Sequence, residues 1–285
     1  MQLHDIYIRD PFILPHDGVY YLYGKLELND RKFVVYKSND LKEWSEPKVV
    51  FKPPSDFWAT KDFWAPEVHV YKDKFYMFAS FKAEGKCRGV QILVSDFPDG
   101  EFIPLTKCPV TPSDWECLDG TLYMDNAGIP YMVFCHEWTQ IGNGAMYYAK
   151  LSEDFTHLVT KPQKMFQALD YPFVESPIRN RECYVTDGPF LHRCDNGDLL
   201  LTWSSYGQNG YFINVLKSNN GEIDGQWEAQ NMLFDHHGGH GMIFQSFSNE
   251  LKLVLHRPDR PLGAERAIIF NLLESEGQLH IYLPE

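Results

Sequence analysis

The sequence predicts an all-β protein, a single five-bladed β-propeller, and three observations lead to this fold class. Helical periodicity is scarce along the 285 residues, whereas short apolar segments closed by turn residues recur throughout. These segments group into five similar units. The units repeat at about 50 residues with three or four strands each, which is typical of propeller blades.

The five units can be followed in order along the chain. The first contains two strands in DPFILPHDGVYYLYGK, separated by His-Asp-Gly, and the second contains PEVHVYKDKFYMFASF with a Lys-Asp-Lys turn. The third, fourth and fifth units repeat this scheme with the turns Asn-Ala-Gly, Asp-Asn-Gly and Ser-Asn-Glu. A third strand follows in each unit. We place the unit starts at Asp10, Glu67, Asp119, Asp187 and His240.

The whole chain, residues 1–285, is therefore predicted to be one domain, although its length alone would suggest about two. The wider spacing before the fourth unit predicts an insertion near KPQKMFQALDYPFVESPIRNRECY. This stretch is polar and contains prolines, so we expect a loop over one face of the propeller. A β-sandwich is the alternative fold, but sandwiches do not usually repeat a carboxylate at each unit start.

Composition excludes several classes of protein. The net charge of −13 disfavours nucleic acid or an anionic membrane as partner. No apolar run approaches the ~20 residues that span a bilayer. The segment MQLHDIYIRD shows no secretion signal. The sequence therefore does not decide the compartment: the protein is cytoplasmic or, if a signal was removed, periplasmic or secreted. The six cysteines form no CxxC pair, and we expect buried thiols rather than disulfides.

The unit starts are the candidate functional site. The first strand of each propeller blade lines the central channel, so side chains at these starts converge at one mouth. Asp10, Asp119 and Asp187 would share a pocket there, with Glu67 and His240 beside them. Converging carboxylates are unfavourable unless they are paired, protonated or metal-bound, which makes such a cluster a candidate catalytic site.

Two carboxyl groups on opposite walls of a channel can hydrolyse a glycosidic bond. One group protonates the leaving oxygen while the other activates a water molecule, and a gap of ~6.5–9.5 Å gives inversion of configuration. A third carboxylate beside the acid can orient it and hold its proton. The arrangement of the unit starts therefore points to sugar chemistry.

The motifs at the unit starts resemble those of glycoside hydrolase family 43, five-bladed propeller enzymes that act on arabinan and xylan side chains. RDPFIL resembles the family's opening strand, which implies that Asp10 is the general base. FWAPEVH resembles the blade-2 motif, and CLDGTLYMDNAGIPYMVF the blade-3 motif, in which Asp119 would orient the acid and modulate its pKa. GHGMIF is similar to the blade-5 motif, whose histidine, here His240, lies near the axis. The resemblance implies no required cofactor, with a structural calcium or sodium ion near His240 as an option.

One departure from the family pattern concerns the general acid. The family motif reads Glu-Gly-Pro, whereas this chain reads TDGPFL and places Asp187 there. The carboxyl would retreat by roughly 1.5 Å, and a misplacement of ~1 Å can lower the rate about 10²-fold. Either the pocket has moved inward, or Glu137 or Glu175 supplies the proton, or the protein is a weak or inactive enzyme. We expect Asp187 or Glu137 to be the acid.

Several residues near these motifs are candidate substrate contacts. Aromatic rings stack on the apolar faces of sugars, and Trp64 and Trp138 lie next to motif residues, whereas Trp58 and Trp203 fit a core equally well. The remaining candidates are Glu67, Arg257 and Arg266. The run DHHGGHG resembles a cluster of metal ligands, but a zinc site is disfavoured there because the glycines of the run indicate a turn.

The predicted function is an inverting glycosidase that hydrolyses α-L-arabinofuranosyl or β-D-xylosyl linkages in plant polysaccharides or oligosaccharides. One alternative is a weak or inactive carbohydrate-binding propeller. Another is a related propeller glycosidase or phosphorylase acting on a different sugar. A phosphorylase needs a cationic phosphate pocket, and Arg9 is the one basic residue that we identify at the unit starts. A scaffold for protein partners would not need converging carboxylates.

Overall fold

The computed structural model describes residues 1–282, and its strands form five four-stranded antiparallel sheets, which confirms the five-bladed propeller. Each sheet is a meander whose strands follow one another in chain order. Blade 1 contains β1 (Phe12–His16), β2 (Val19–Gly24), β3 (Phe33–Ser38) and β4 (Lys48–Phe51). Blade 2 contains β5 (Lys61–Tyr71), β6 (Lys74–Ala83), β7 (Lys86–Ser95) and β8 (Ile103–Pro104). Blade 3 contains β9 (Cys117–Met124), β10 (Pro130–His136), β11 (Ala145–Lys150) and β12 (Gln163–Gln167).

The last two blades complete the ring. Blade 4 contains β13 (Asp187–Arg193), β14 (Leu199–Gly207), β15 (Gly210–Ser218) and β16 (Trp227–Phe234). Blade 5 contains β17 (Gly239–Gln245), β18 (Leu251–Arg257), β19 (Arg266–Ser275) and β20 (Gln278–Tyr282). The first strands of neighbouring blades contact each other all the way round, from β1 to β17 and back to β1. The channel is therefore lined by one strand from each blade.

Helical structure is confined to short segments. They are one α-helical turn, α1 (Trp138–Ile141), and two 3₁₀ turns at Leu3–Asp5 and Ala168–Asp170. No helix within residues 1–282 has the length and apolar character needed to cross a bilayer.

The N-terminal segment closes the ring between blades 1 and 5. The backbone N–H of Ile8 donates to the carbonyl of Glu265 (3.2 Å), and Tyr7 bridges Arg266 in antiparallel fashion. Ile6 and Ile8 are buried beneath these bonds. The closure places the residues just before β1 against the loop that leads into β19.

Most of the aromatic residues pack between blades. Phe33, Phe51, Phe63 and Phe81 form a cluster between blades 1 and 2, with ring centroids 4.9–6.2 Å apart. Trp203 is fully buried beside Phe166 and Tyr171 of blade 3. Stacked sheets bury such rings efficiently. The high aromatic content is thus largely a property of the blade interfaces.

The cysteines are free thiols, as expected. Cys117, Cys135, Cys183 and Cys194 are buried, Cys87 is half-buried and Cys108 is exposed. No disulfide therefore stabilises the described part of the propeller.

Candidate active site

Each blade carries a left-handed residue at an equivalent position near the start of its first strand. The five equivalent residues, with their φ angles, are Asp10 (54°), Ala65 (46°), Asp119 (53°), Gly188 (50°) and His240 (49°). Blade 2 has a further left-handed residue, Asp62 (54°), earlier in β5. In blades 2 to 5 the pairing register shifts at this point, which marks a β-bulge. A left-handed conformation is strained by roughly 1–2 kcal/mol for a residue with a side chain, and such strain concentrates at functional sites.

This alignment corrects the start of blade 2. Ala65, not Glu67, occupies the position equivalent to Asp10 and Asp119. Glu67 lies two residues further along β5, is buried, and its Oε2 is 3.1 Å from Nε2 of His69. A bulge adds one residue, and the alternation of side chains along the strand then turns Glu67 away from the cavity.

The same alignment changes the position of Asp187. Gly188 holds the left-handed position in blade 4, so Asp187 precedes it, as Arg9 precedes Asp10 and Trp64 precedes Ala65. The carboxyl of Asp187 therefore starts from a different backbone position than those of Asp10 and Asp119.

Backbone N–H groups of the left-handed residues bond across the seams between blades. Asp119 N donates to Ser80 Oγ (2.9 Å), and His240 N donates to Ser204 Oγ (2.8 Å). Asp10 N donates to Nδ1 of His256 (3.2 Å). Each acceptor stands on the second strand of the preceding blade. These bonds fix the position of each functional residue along the channel axis relative to the preceding blade.

The left-handed residues surround a cavity of about 450 Å³ at one mouth of the channel. This volume lies in the range of small-ligand sites. Of the predicted residues, the cavity is lined by Asp10, Trp64, Asp119, Glu137, Trp138, Asp187 and His240. The structure thus brings all four predicted catalytic carboxyls to one cavity.

Asp10 is held in its charged form. Burial opposes ionisation, but the pKa of Asp10 is lowered because His240, Arg9 and Lys25 surround it. Its Oδ1 is 3.1 Å from His240 Nδ1 and 3.8 Å from Arg9 Nε. His256 is neutral, because burial lowers its pKa to about 3, and its Nδ1 accepts the Asp10 N–H.

Asp119 and Asp187 are held in the opposite state. Burial raises the pKa of each well above the ordinary value, and the negative charges of neighbouring carboxylates raise it further. Asp119 Oδ2 accepts the N–H of Gly188 (3.0 Å), and Tyr211 OH donates to Asp187 Oδ2 (3.1 Å). Both carboxyls therefore favour the protonated form more strongly than an exposed aspartate does.

His240 lies between the carboxyls near the axis. Its Nδ1 is 3.1 Å from Asp10 Oδ1 and 3.7 Å from Asp119 Oδ2. Within residues 1–282 the axial side chains do not form three ligand atoms within 4.8 Å of one another. The predicted calcium or sodium ion near His240 therefore stays a prediction, and water molecules would have to supply most of the six to eight oxygen ligands that calcium prefers.

Glu137 is engaged in a buried ion pair. Its Oε2 pairs with Nη1 of Arg88, whose Nη2 is 2.8 Å from Asp62 Oδ2. The guanidinium of Arg88 also lies 4.0 Å from the ring centroid of Trp64. Burial raises the pKa of Glu137, and the charge of Arg88 opposes this shift. Glu137 and Arg88 therefore support Trp64 from behind.

The cavity rim is formed by loops. The later part of the predicted insertion is a loop over this face, in which Pro177 and Ile178 line the cavity and Arg181 lies 5.1 Å from the ring centroid of Trp138. Its first part is not a loop, because Gln163–Gln167 forms β12 and completes blade 3. Glu175, in the same insertion, is exposed and does not line the cavity. On the other side, Arg260 and Leu262 complete the wall.

Two predicted arginine contacts are wrong. Arg257 is exposed, and Arg266 Nε donates to the carbonyl of His4 (3.0 Å), so neither lines the cavity. Both stand at the β18–β19 pairing, directly opposite one another. Arg266 instead binds the N-terminal segment that closes the ring between blades 1 and 5.

Sequence reasoning missed several residues that shape the site. Arg9 binds Asp259 Oδ1 and Glu265 Oε1, each at 3.0 Å, and both acids are buried. Lys25 lines the cavity, and burial lowers its pKa to about 8. The sequence did hold one sign of the site on the second strands. In blades 2 to 5 the second-strand residue that pairs with the residue before the left-handed position is small or polar, namely Ser80, Cys135, Ser204 and His256.

Comparisons with known proteins agree on one family. The profile described as Glycosyl hydrolases family 43 matches residues 5–268. The chain is similar to the endo-arabinase from Bacteroides thetaiotaomicron VPI-5482, with a TM-score of 0.92 and 37% identity over 98% of both chains. It is 24% identical over 144 residues to extracellular endo-alpha-(1->5)-L-arabinanase 1 of Bacillus subtilis (strain 168), and 25% identical over 150 residues to xylosidase/arabinosidase 43A of Humicola insolens. Each match covers 47% of this chain and 45% of the relative, so the chain spans about half the length of the curated relatives that it matches.

Gly188→Ala tests the left-handed position in blade 4. A Cβ there would lie 2.8 Å from the His240 ring, so we expect a loss of stability clearly above the ~1–2 kcal/mol of left-handed strain. Gly197→Ala is the matched control, because Gly197 is also left-handed but has open space around it. Urea unfolding of both variants measures the difference. Equal losses would show that His240 is not packed against Gly188.

Proposed function

Because the chain belongs to glycosyl hydrolases family 43, we propose that it is an inverting glycosidase acting on α-L-arabinofuranosyl or β-D-xylosyl linkages. One observation carries the proposal. In a single cavity the pKa of Asp10 is lowered while those of Asp119 and Asp187 are raised. Two carboxyls whose environments push their pKa values apart are suited to serve as base and acid.

Asp10 is the general base in this proposal. A base must be ionised at the working pH and held in one orientation. His240 and Arg9 keep Asp10 charged, and the bond from its N–H to His256 fixes its backbone. Asp10 can then take a proton from a water molecule as that water attacks the anomeric carbon.

Asp187 is the general acid, in preference to Glu137. Asp187 is half-buried at the cavity, and desolvation raises the pKa of its carboxyl, which favours the protonated form that can pass a proton to the leaving oxygen. Glu137 instead balances the buried charge of Arg88, and protonation would remove that balance.

Asp119 positions and tunes this acid. Its Oδ2 accepts the N–H of Gly188, the residue next to Asp187, and its carboxyl is one of the charges that raise the pKa of Asp187. Asp10 and Asp187 belong to blades 1 and 4, with blade 5 between them. A base and an acid on separated walls leave room for a water molecule, which favours inversion over a covalent intermediate.

An arabinan-type substrate is favoured by the relatives. The Bacteroides and Bacillus proteins are named endo-arabinase and endo-arabinanase, and the Humicola protein xylosidase/arabinosidase. Trp64 and Trp138 offer apolar ring faces to a sugar in the cavity. We propose that one sugar ring stacks on Trp64, whose opposite face is occupied by Arg88.

Hydrolysis is favoured over phosphorolysis. Three cations line the cavity, Arg9, Lys25 and Arg260. Arg9 is already bound by Asp259 and Glu265, and Lys25 Nζ donates to the carbonyl of Leu28 (2.6 Å). Arg260 Nε lies 3.6 Å from the same Asp259. Arg9 and Arg260 thus already neighbour carboxylates, and Lys25 is bonded to a backbone carbonyl, which leaves little positive potential for a phosphate dianion.

Asp10→Asn tests the reaction itself. Removal of the base is expected to lower the release of nitrophenol from nitrophenyl α-L-arabinofuranoside or β-D-xyloside by about 10²- to 10⁴-fold. Asp73→Asn is the matched control, because Asp73 is a left-handed, exposed turn residue. Full activity of Asp10→Asn would remove Asp10 from the mechanism. Oligosaccharide binding by the wild type without any product would instead favour a binding protein, and a requirement for phosphate a phosphorylase.

Asp187→Asn and Glu137→Gln together identify the acid. A natural sugar leaving group needs protonation, whereas nitrophenolate leaves readily without it. We expect Asp187→Asn to lose roughly 10²- to 10⁴-fold on arabino-oligosaccharides and far less on the nitrophenyl glycoside. Glu137→Gln should affect both substrates alike, since it acts through Arg88 and Trp64. The reverse pattern would assign the acid to Glu137.

Asp119→Asn tests the tuning of the acid through the pH profile. The acid must be protonated, so activity falls as pH rises through the pKa of Asp187. An amide at position 119 cannot carry the charge that raises this pKa, so the alkaline limb of kcat/KM should move to lower pH. The acidic limb, which reports Asp10, should remain. An alkaline limb that stays in place or moves upward would contradict the assigned role.

A further inference from the structure

A second cluster of chemically active side chains lies away from the cavity, at the seam between blades 4 and 5. We propose that His192, Cys194 and Glu274 bind one zinc-class divalent cation. Their ligand atoms all lie within 4.8 Å of one another, and His192 Nε2 is 2.8 Å from Glu274 Oε2. The inference does not depend on the proposed glycosidase activity.

The fold brings these donors together from two blades. His192 is the penultimate residue of β13, and Cys194 follows two residues later, so both side chains leave the chain on the same side. Glu274 lies near the end of β19 in blade 5. The N–H of Asp195 donates to Glu274 Oε1 (2.9 Å), which leaves Oε2 directed at His192. The carboxylate is thus oriented before any ion arrives.

The donor set matches zinc better than calcium. Thiolate sulfur, imidazole nitrogen and carboxylate oxygen are the three ligand types that zinc takes in proteins, whereas calcium takes oxygen. The side chains of His192 and Glu274 are 16% and 19% exposed, so a water molecule can complete a tetrahedron from the solvent side. Cys194 is buried and forms the inner corner.

A cation would neutralise the Glu274 carboxylate, which among residues 1–282 has His192 but no lysine or arginine as an ion-pair partner. Binding would form the metal–sulfur bond and release the thiol proton of Cys194 to solvent. Lys217 already pairs with Asp198 (2.6 Å) and so does not neutralise Glu274.

The site would join blades 4 and 5 at the end opposite the cavity. β13 runs from Asp187 at the cavity to Arg193 beside the cluster, a span of roughly 20 Å. A cation held by both blades binds the folded chain and not the unfolded one, so it raises the unfolding temperature. The expected role is structural rather than catalytic.

Zinc titration of the full, chelator-treated chain tests the proposal. We expect a rise in Tm of roughly 5 °C at about 100 times Kd, with no rise for calcium. The rise should be lost in Cys194→Ser and in His192→Gln. Cys108→Ser is the matched control and should keep it, because Cys108 is exposed and remote in sequence from the cluster.

Cobalt(II) absorption identifies the ligands. A thiolate-to-cobalt charge-transfer band of one-to-one stoichiometry is expected in the wild type and in Cys108→Ser, and its absence in Cys194→Ser would assign the sulfur ligand. No thiolate band in the wild type, or a band that persists in Cys194→Ser, would overturn the proposal. If Cys194→Ser fails to fold, His192→Gln should still weaken the band's apparent affinity at least 10-fold, and an unchanged affinity would overturn it. Metal bound by the cavity carboxylates would give no thiolate band.

Discussion

The arrangement of the site depends on one backbone constraint, the left-handed residue at the start of each first strand. In blades 2 to 5 the strand register shifts at this residue, and in four of the five blades its side chain lines the cavity. Aspartate and histidine tolerate this conformation better than most side chains, and glycine tolerates it best. The repeated conformation therefore selects the residue types that converge there. The strain is stored where the chemistry needs fixed geometry, and the N–H bonds to neighbouring blades hold it.

Burial then separates the roles of similar groups. Asp10, Asp119 and Asp187 all line the cavity, yet only Asp10 has Arg9 and Lys25 as well as His240 around it. Asp119 and Asp187 face other carboxylates, so burial dominates and favours the protonated form. The difference arises because the cations enter from blade 1 and blade 5, on one side of the channel. A symmetric fold thus produces an asymmetric site.

The first strand of blade 4, β13, has chemically active side chains near both of its ends. At its start, β13 presents Asp187 to the cavity, and at its end His192 and Cys194 meet Glu274 of blade 5. Arg9, which lines the cavity, binds Asp259 and Glu265 near the ring closure. The contacts that hold the blades together are therefore the same contacts that position the functional groups.

The sequence by itself determined the five blades, their turns and most of the site. Strand alternation and the period of about 50 residues are local properties, and they survive folding unchanged. The sequence also located Asp10, Asp119, Asp187 and His240 at the cavity, because the first residues of each repeated unit all lie at the same mouth of the channel. It misplaced Glu67, since a bulge shifts the register by one residue without any mark in the apolar pattern. It also misjudged Arg257 and Arg266, whose neighbours come from distant parts of the chain. Only the tertiary structure decided which carboxyl holds its proton and that Glu137 belongs to Arg88, because burial and charge depend on groups brought together across blades.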